Sequence, residues 1–174
     1  MKSLQEYINE SESKTDLSTN KVQPKTKDEL KEIIKDTFEH KQYDLNFIDT
    51  SKITDMCELF EYIEHNFNIS KWDTSNVKNM SYMFYRCYKF TGKGIGNWNI
   101  SNVKDIGGMF AGCEKFDCDL SNWDVSNVTD MNYVFIDCEK FKGKGLENWN
   151  VTNVTNMRRM FDGCNKLTIP DWYK

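Results

Sequence analysis

The sequence predicts a right-handed solenoid of stacked coils. Three observations predict it: one motif recurs five times at intervals of about 25 residues, its apolar positions repeat in register, and a separate amphipathic stretch stands ahead of the first copy. Each coil is expected to be a short strand followed by a short helical turn.

Residues 1–23 form the first segment. Leu4, Tyr7 and Ile8 fall at i, i+3, i+4, and Ser3 with Glu6 has the spacing of a capping box, so residues 1–10 read as a short amphipathic helix. From Ser11 to Gln23 only Leu17 and Val22 are apolar, too little burial to order the chain, and this stretch reads as a flexible linker. Residues 24–45 form the second segment. Pro24 precedes a second capping box, Thr26 to Glu29, and Leu30, Ile33, Ile34 and Phe38 share one face, predicting a capping helix over Lys27 to His40.

Residues 46–174 are the repeats. Trp72, Trp98, Trp123 and Trp149 recur at intervals of 26, 25 and 26, with Ile48 one unit earlier. Five residues after each comes Ile53, Val77, Val103, Val128 or Val154, and three later Met56, Met80, Ile106, Met131 or Met157. Phe60, Phe84, Phe110, Phe135 and Phe161 follow, and the last four copies add Cys87, Cys113, Cys138 and Cys164. Leu120, Trp123 and Val125 have the L-x-x-L-x-L rhythm of a leucine-rich-repeat strand, while M-x-x-M-F-x-x-C keeps apolar groups on one face of a helical or 3-10 turn. No unit can bury these side chains alone; stacking puts like residues over like, in a tryptophan column and a phenylalanine column.

Composition narrows the function. The chain has 39% hydrophobic residues and a net charge of −4 with no basic stripe, so nucleic acid is not an expected partner. No run approaches the roughly 20 apolar residues of a membrane-spanning helix, and Met1 to Asn20 lacks the apolar core of a secretory signal. Neighbouring coils hold the cysteines too far apart for unstrained disulfides, so Cys87, Cys113, Cys138 and Cys164 are expected as buried free thiols. Asn76, Asn102, Asn127 and Asn153 read as corner residues that satisfy buried backbone groups. The Asp/Asn files at 49, 73, 99, 124, 150 and at 55, 79, 105, 130, 156 lack calcium-loop spacing and read as solvated turns. His40 and His65, the two histidines, lie in no nucleophile or metal motif, and no phosphate loop is present. The expectation is a non-enzymatic chain with no metal and no cofactor.

The run NWDVSNVTDMNYVFIDCEKF at Asn122 to Phe141, echoed by WDTSNVKNMSYMFYRCYKF and WNVTNVTNMRRMFDGCNKL, resembles the BspA-like leucine-rich repeat family of bacterial surface proteins. The resemblance implies a leucine-rich-repeat-like solenoid of the kind carried by surface lipoproteins, used in adhesion or without an assigned role. No signal peptide or lipobox is read in the sequence as written, which gives a cytoplasmic expectation, with the cell surface implied by the resemblance.

With ladder positions committed to the core, recognition falls to the positions that differ between coils. Tyr82, Tyr85, Arg86, Tyr133, Arg158 and Arg159 are the candidate binding residues, since Tyr and Arg dominate interface hot spots; the alternative is a plain solvated exterior. The expected partner is another protein. Carbohydrate is a second class if Tyr82, Tyr85, Tyr88 and Tyr133 form one exposed patch, and a self-associating structural module is a third, the chain otherwise being a monomer or weakly associated end to end.

Overall fold

The computed structural model describes residues 21–174. The helix expected over residues 1–10 and nearly all of the linker lie outside the described residues. The linker's last residues are ordered: Val22 is 3% exposed, and its backbone pairs with Phe47 and Asp49 beside Ile48.

Helix α1 spans Lys27–Glu39, one residue short of the expected end. Thr26 caps it by accepting from the Glu29 N–H at 3.2 Å, while the Glu29 carboxylate accepts from the Lys25 N–H, one residue ahead of the usual capping-box donor. Leu30, Ile33 and Ile34 are buried, and the Phe38 ring sits 5.6 Å from Phe67 and 6.4 Å from Phe60. The helix therefore covers the apolar end of the first coil.

The repeats do not form the expected leucine-rich-repeat-like solenoid of strands and helical turns. Among the described residues there is one α-helix, two three-residue 3-10 turns (Ile95–Asn97 and Leu146–Asn148) and no strand; sheet pairing is reduced to isolated parallel bridges. The M-x-x-M-F-x-x-C segment is a run of tight turns. Its N–H groups at every second residue donate to the following coil: Met56, Glu58, Phe60 and Tyr62 to the carbonyls of Asn79, Ser81, Met83 and Tyr85, and likewise at the three later junctions, at 2.7–3.2 Å. An N–H directed to a neighbour cannot make an i−4 bond. Left-handed residues also recur in this segment, at Glu58, Tyr62, Tyr82, Arg86, Tyr133, Asp137 and Arg159 with φ between 52° and 61°, and at Gly108, Gly112 and Gly163. Each one ends any nascent helix.

Strands fail for a local reason as well. Asp55, Asn79, Asp105, Asp130 and Asn156 form the bridge ladder, and each side chain accepts from the N–H two residues on, at 2.8–3.3 Å. An Asx turn after every bridge stops the extended run.

The apolar register is as spaced in the sequence. The column tryptophans are 3–6% exposed, and successive rings of the phenylalanine column lie 5.5–5.9 Å apart and nearly parallel. Each indole N–H donates to a carbonyl of the preceding coil, Trp72 to Leu45, Trp98 to Ile69, Trp123 to Ile95 and Trp149 to Leu120. Trp172 continues the series, bonding Leu146 and stacking 6.3 Å from Trp149. All six cysteines are free, and Cys87, Cys113, Cys138 and Cys164 each donate a thiol hydrogen to the carbonyl of the preceding coil's phenylalanine at 2.9–3.1 Å. Asn76, Asn102, Asn127 and Asn153 each donate to a carbonyl of the preceding coil, yet these bonds lie on the exposed surface, where water competes for them.

Candidate functional site

The outer positions of the M-x-x-M-F-x-x-C turns form one long face, and its left-handed positions build the candidate surface. Coil by coil they hold Glu58 and Tyr62, Tyr82 and Arg86, Gly108 and Gly112, Tyr133 and Asp137, then Arg159 and Gly163. Tyr82, Arg86, Tyr133 and Arg159, four of the six expected binding residues, occupy this unfavourable backbone region. The third coil shows what the backbone alone prefers there, which is glycine.

The six residues fall into two clusters. In the first, Tyr85 lies edge-on to Tyr82 with centroids 5.7 Å apart and edge-on to Tyr62 at 5.4 Å, and the Arg86 guanidinium sits 5.3 Å from the Tyr85 ring and 5.8 Å from that of Tyr62. Tyr62, at 53% exposed, was not among the sequence candidates, because the first unit lacks the cysteine that marks the register. Its signal was the alignment itself: Phe60 plus two places Tyr62 opposite Arg86. No carboxylate pairs with Arg86 among the described residues, so its charge is held by rings alone.

In the second cluster the Arg158 guanidinium lies 6.0 Å from the Tyr133 ring, and Arg159 pairs with Asp162 at 2.6 Å. Between the clusters Tyr82 lies over the third coil, its ring filling the space a Cβ on Gly108 would take. Gly108 is buried beneath it, and Gly107 is buried beside the Asp105 and Asn132 side chains. Tyr82 is thus part contact surface and part cover, which the sequence did not reveal. Burial pushes its phenol above the usual range, with the Asp105 and Asp130 carboxylates adding to the shift. Tyr88, at 41% exposed, makes no ring contact with the first cluster, so the four tyrosines suggested for carbohydrate do not share one aromatic cluster.

Among the described residues no group of three or more His, Cys, Asp or Glu could hold a metal ion, and no helix is long and apolar enough to cross a membrane. The ladder thiols are chemically quiet: burial pushes Cys87 up to about 12 and Cys164 to about 11, and raises Cys113 and Cys138 in the same way.

A family model described as "Mycoplasma protein of unknown function, DUF285" matches residues 28–93 and again 87–172, most of the chain. The chain belongs to this DUF285 family. Two successive matches fit a molecule built from one repeated coil; the first DUF285 match spans nearly all of α1 with the first coils, and the second spans the later coils without α1. No curated protein and no solved structure matches the chain. The DUF285 description assigns no activity, so the family adds none to the surface described above.

Proposed function

We propose that this DUF285 chain is a non-enzymatic repeat scaffold that binds another protein through the outer face of its second coil and the adjoining Tyr62 of the first, with Tyr62, Tyr82, Tyr85 and Arg86 as the contact cluster. One observation carries the reading. At equivalent left-handed positions the third coil has Gly108 and Gly112, whereas the second has Tyr82 and Arg86, at a penalty of roughly 1–2 kcal/mol per residue. Large side chains kept against that penalty, exposed and grouped around an unpaired guanidinium, have the composition of an interface hot spot. The likeness of the repeat motif to BspA-like bacterial surface proteins supports display at a cell surface as the setting.

The test is affinity purification with the whole chain beside the variant Tyr62→Ser/Tyr85→Ser/Arg86→Gln. A partner retained by the parent and lost by the folded variant supports the reading. Equal recovery from both removes it.

A further inference from the structure

Through the M-x-x-M-F-x-x-C segment the inter-coil backbone bonds all run the same way, whereas the residue just before each bridge donates in the other direction, Lys78 to Thr54, Lys104 to Lys78, Thr129 to Lys104 and Thr155 to Thr129. In each coil the carbonyls at alternate residues face α1 and accept from the coil before, while the N–H groups one residue on face away and donate to the coil after. This face of the stack is therefore polarised, with an acceptor edge at one end and a donor edge at the other. In the last coil the equivalent donors are the N–H groups of Met157, Arg159, Phe161 and Gly163, and none has an acceptor among the described residues. In the first coil the equivalent acceptors are the carbonyls of Asp55, Cys57, Leu59 and Glu61, and none receives a bond among the described residues.

The side chains repeat the contrast. Arg158 and Arg159 stand exposed beside the donor edge, and the exposed Glu58 and half-buried Glu61 beside the acceptor edge. Helix α1 covers the core next to the acceptor edge but leaves a groove of about 480 Å³ along it, with Leu59, Tyr62 and Ile63 on the coil side and Lys31 and Lys35 on the helix side. The incoming donor segment carries Asp162 to meet those lysines.

We propose that this chain associates head to tail, residues 157–163 of one copy entering the groove beside α1 of a second copy. The register pairs the N–H groups of Met157, Arg159, Phe161 and Gly163 with the carbonyls of Asp55, Cys57, Leu59 and Glu61 of the second copy. Polarity selects this occupant over a two-fold dimer, in which four N–H groups would face four N–H groups. A contact between unlike edges does not close on itself, so assembly continues beyond two copies. It shares Tyr62 with the cluster proposed for a protein partner, whose Tyr82, Tyr85 and Arg86 lie outside the groove.

The experiment is sedimentation of the whole chain over a concentration series at low salt. The average mass is expected to climb past two copies and to fall back in about 0.5 M salt, where the charges are screened. Arg158→Glu/Arg159→Glu and Glu58→Lys/Glu61→Lys are each expected to weaken association at least tenfold, while an equal mixture of the two variants restores it. Hydrogen exchange on the unaltered protein provides a readout independent of whether the variants fold: the amides of Arg159, Phe161 and Gly163 slow as association grows. A chain that stays single at every concentration, a mass that stops at two, or growth with those amides unprotected overturns the proposal.

Discussion

The two ends of the stack carry the same motif in different surroundings. At the first coil α1 lays Leu30, Ile33 and Ile34 over the core, and Ile53, Met56 and Phe60 are 0–2% exposed. At the last coil only Trp172 and Tyr173 close over Phe161, and Val154, Met157 and Leu167 are half-buried where their counterparts Val128, Met131 and Phe141 are fully buried. In a molecule whose coils contact only their neighbours, burial belongs to the junction and not to the residue. An identical motif is core at one end and margin at the other.

The strongest test of that contrast compares one substitution at both ends. Phe60 stacks on Phe67 and Phe84 and meets Phe38 and Trp72, so Phe60→Ala is expected to cost about 3–5 kcal/mol as an enclosed cavity. Phe161→Ala leaves a cavity covered only by the half-buried Trp172 and Tyr173 and is expected to cost about half as much, roughly 2 kcal/mol. Urea unfolding of both variants decides it. Equal losses would mean that the last coil is as well covered as the first.

Thiol labelling extends the comparison into the interior. Cys138 and Cys164 are neighbours on one ladder with the same hydrogen bond to a phenylalanine carbonyl, but Cys138 is 0% exposed and Cys164 is half-buried at the end. Because the thiolate is the reactive form, native Cys164 is expected to label at least tenfold faster than Cys138 at pH 8, with all six thiols labelling without reductant once the chain is unfolded. Similar native rates at the two sites would contradict an open end.

How much of this was legible beforehand follows the same division between register and backbone. The spacing of Trp72, Trp98, Trp123 and Trp149 and of the phenylalanines located the core, because periodic burial leaves a periodic mark. The capping box at Thr26 located α1. Secondary structure was misread because M-x-x-M-F-x-x-C has helical spacing, and spacing cannot show that Tyr82 and Arg86 adopt φ values of 54° and 56°. The available clue was glycine in register with those residues, Gly108 with Tyr82 and Gly112 and Gly163 with Arg86: glycines recurring at the two offsets around the column phenylalanine mark left-handed sites. The candidate surface was legible as residue types, but its division into two clusters depends on Tyr82 leaning over Gly108, a contact between coils.

That reading of the glycines gives a smaller prediction. Glu58 holds the left-handed position of the first coil at φ 55°, and it forms no ion pair among the described residues. Glu58→Gly is expected to stabilise the chain by about 1 kcal/mol, less than the full penalty because glycine also loosens the unfolded chain. Gly112→Ala, at φ 76° with Arg86 close by, is expected to destabilise by about 1–2 kcal/mol. Thermal melts read both. Two neutral results would show that the left-handed sites impose no strain, and the argument for the second-coil cluster would fall with them.

The smallest effect separates interior carboxylates from those at the surface. Asp105 lies mid-ladder, where burial is the main cause that raises its pKa and the neighbouring Asp130 carboxylate adds to it, against the opposing Gly107 N–H bond. A carboxyl whose folded pKa is raised opposes folding above that pKa, and the penalty disappears as pH falls through it. Asp119 is the reverse case: bonds from Lys144 and then Ser121 hold it down to about 2, so its contribution is present at neutral pH and lost in acid. Asp105→Asn keeps the acceptor for the Gly107 N–H, as Asn79 does for Ser81 in the coil before. The variant is therefore expected to melt slightly above the parent at pH 7, with the difference shrinking to nothing in acid, whereas Asp119→Asn should melt slightly below the parent at pH 7 and converge with it near pH 2. Melting curves at pH 7, 5 and 3 check the sign of each. An Asp105→Asn variant less stable than its parent at neutral pH would show that the ladder favours the charge at that rung.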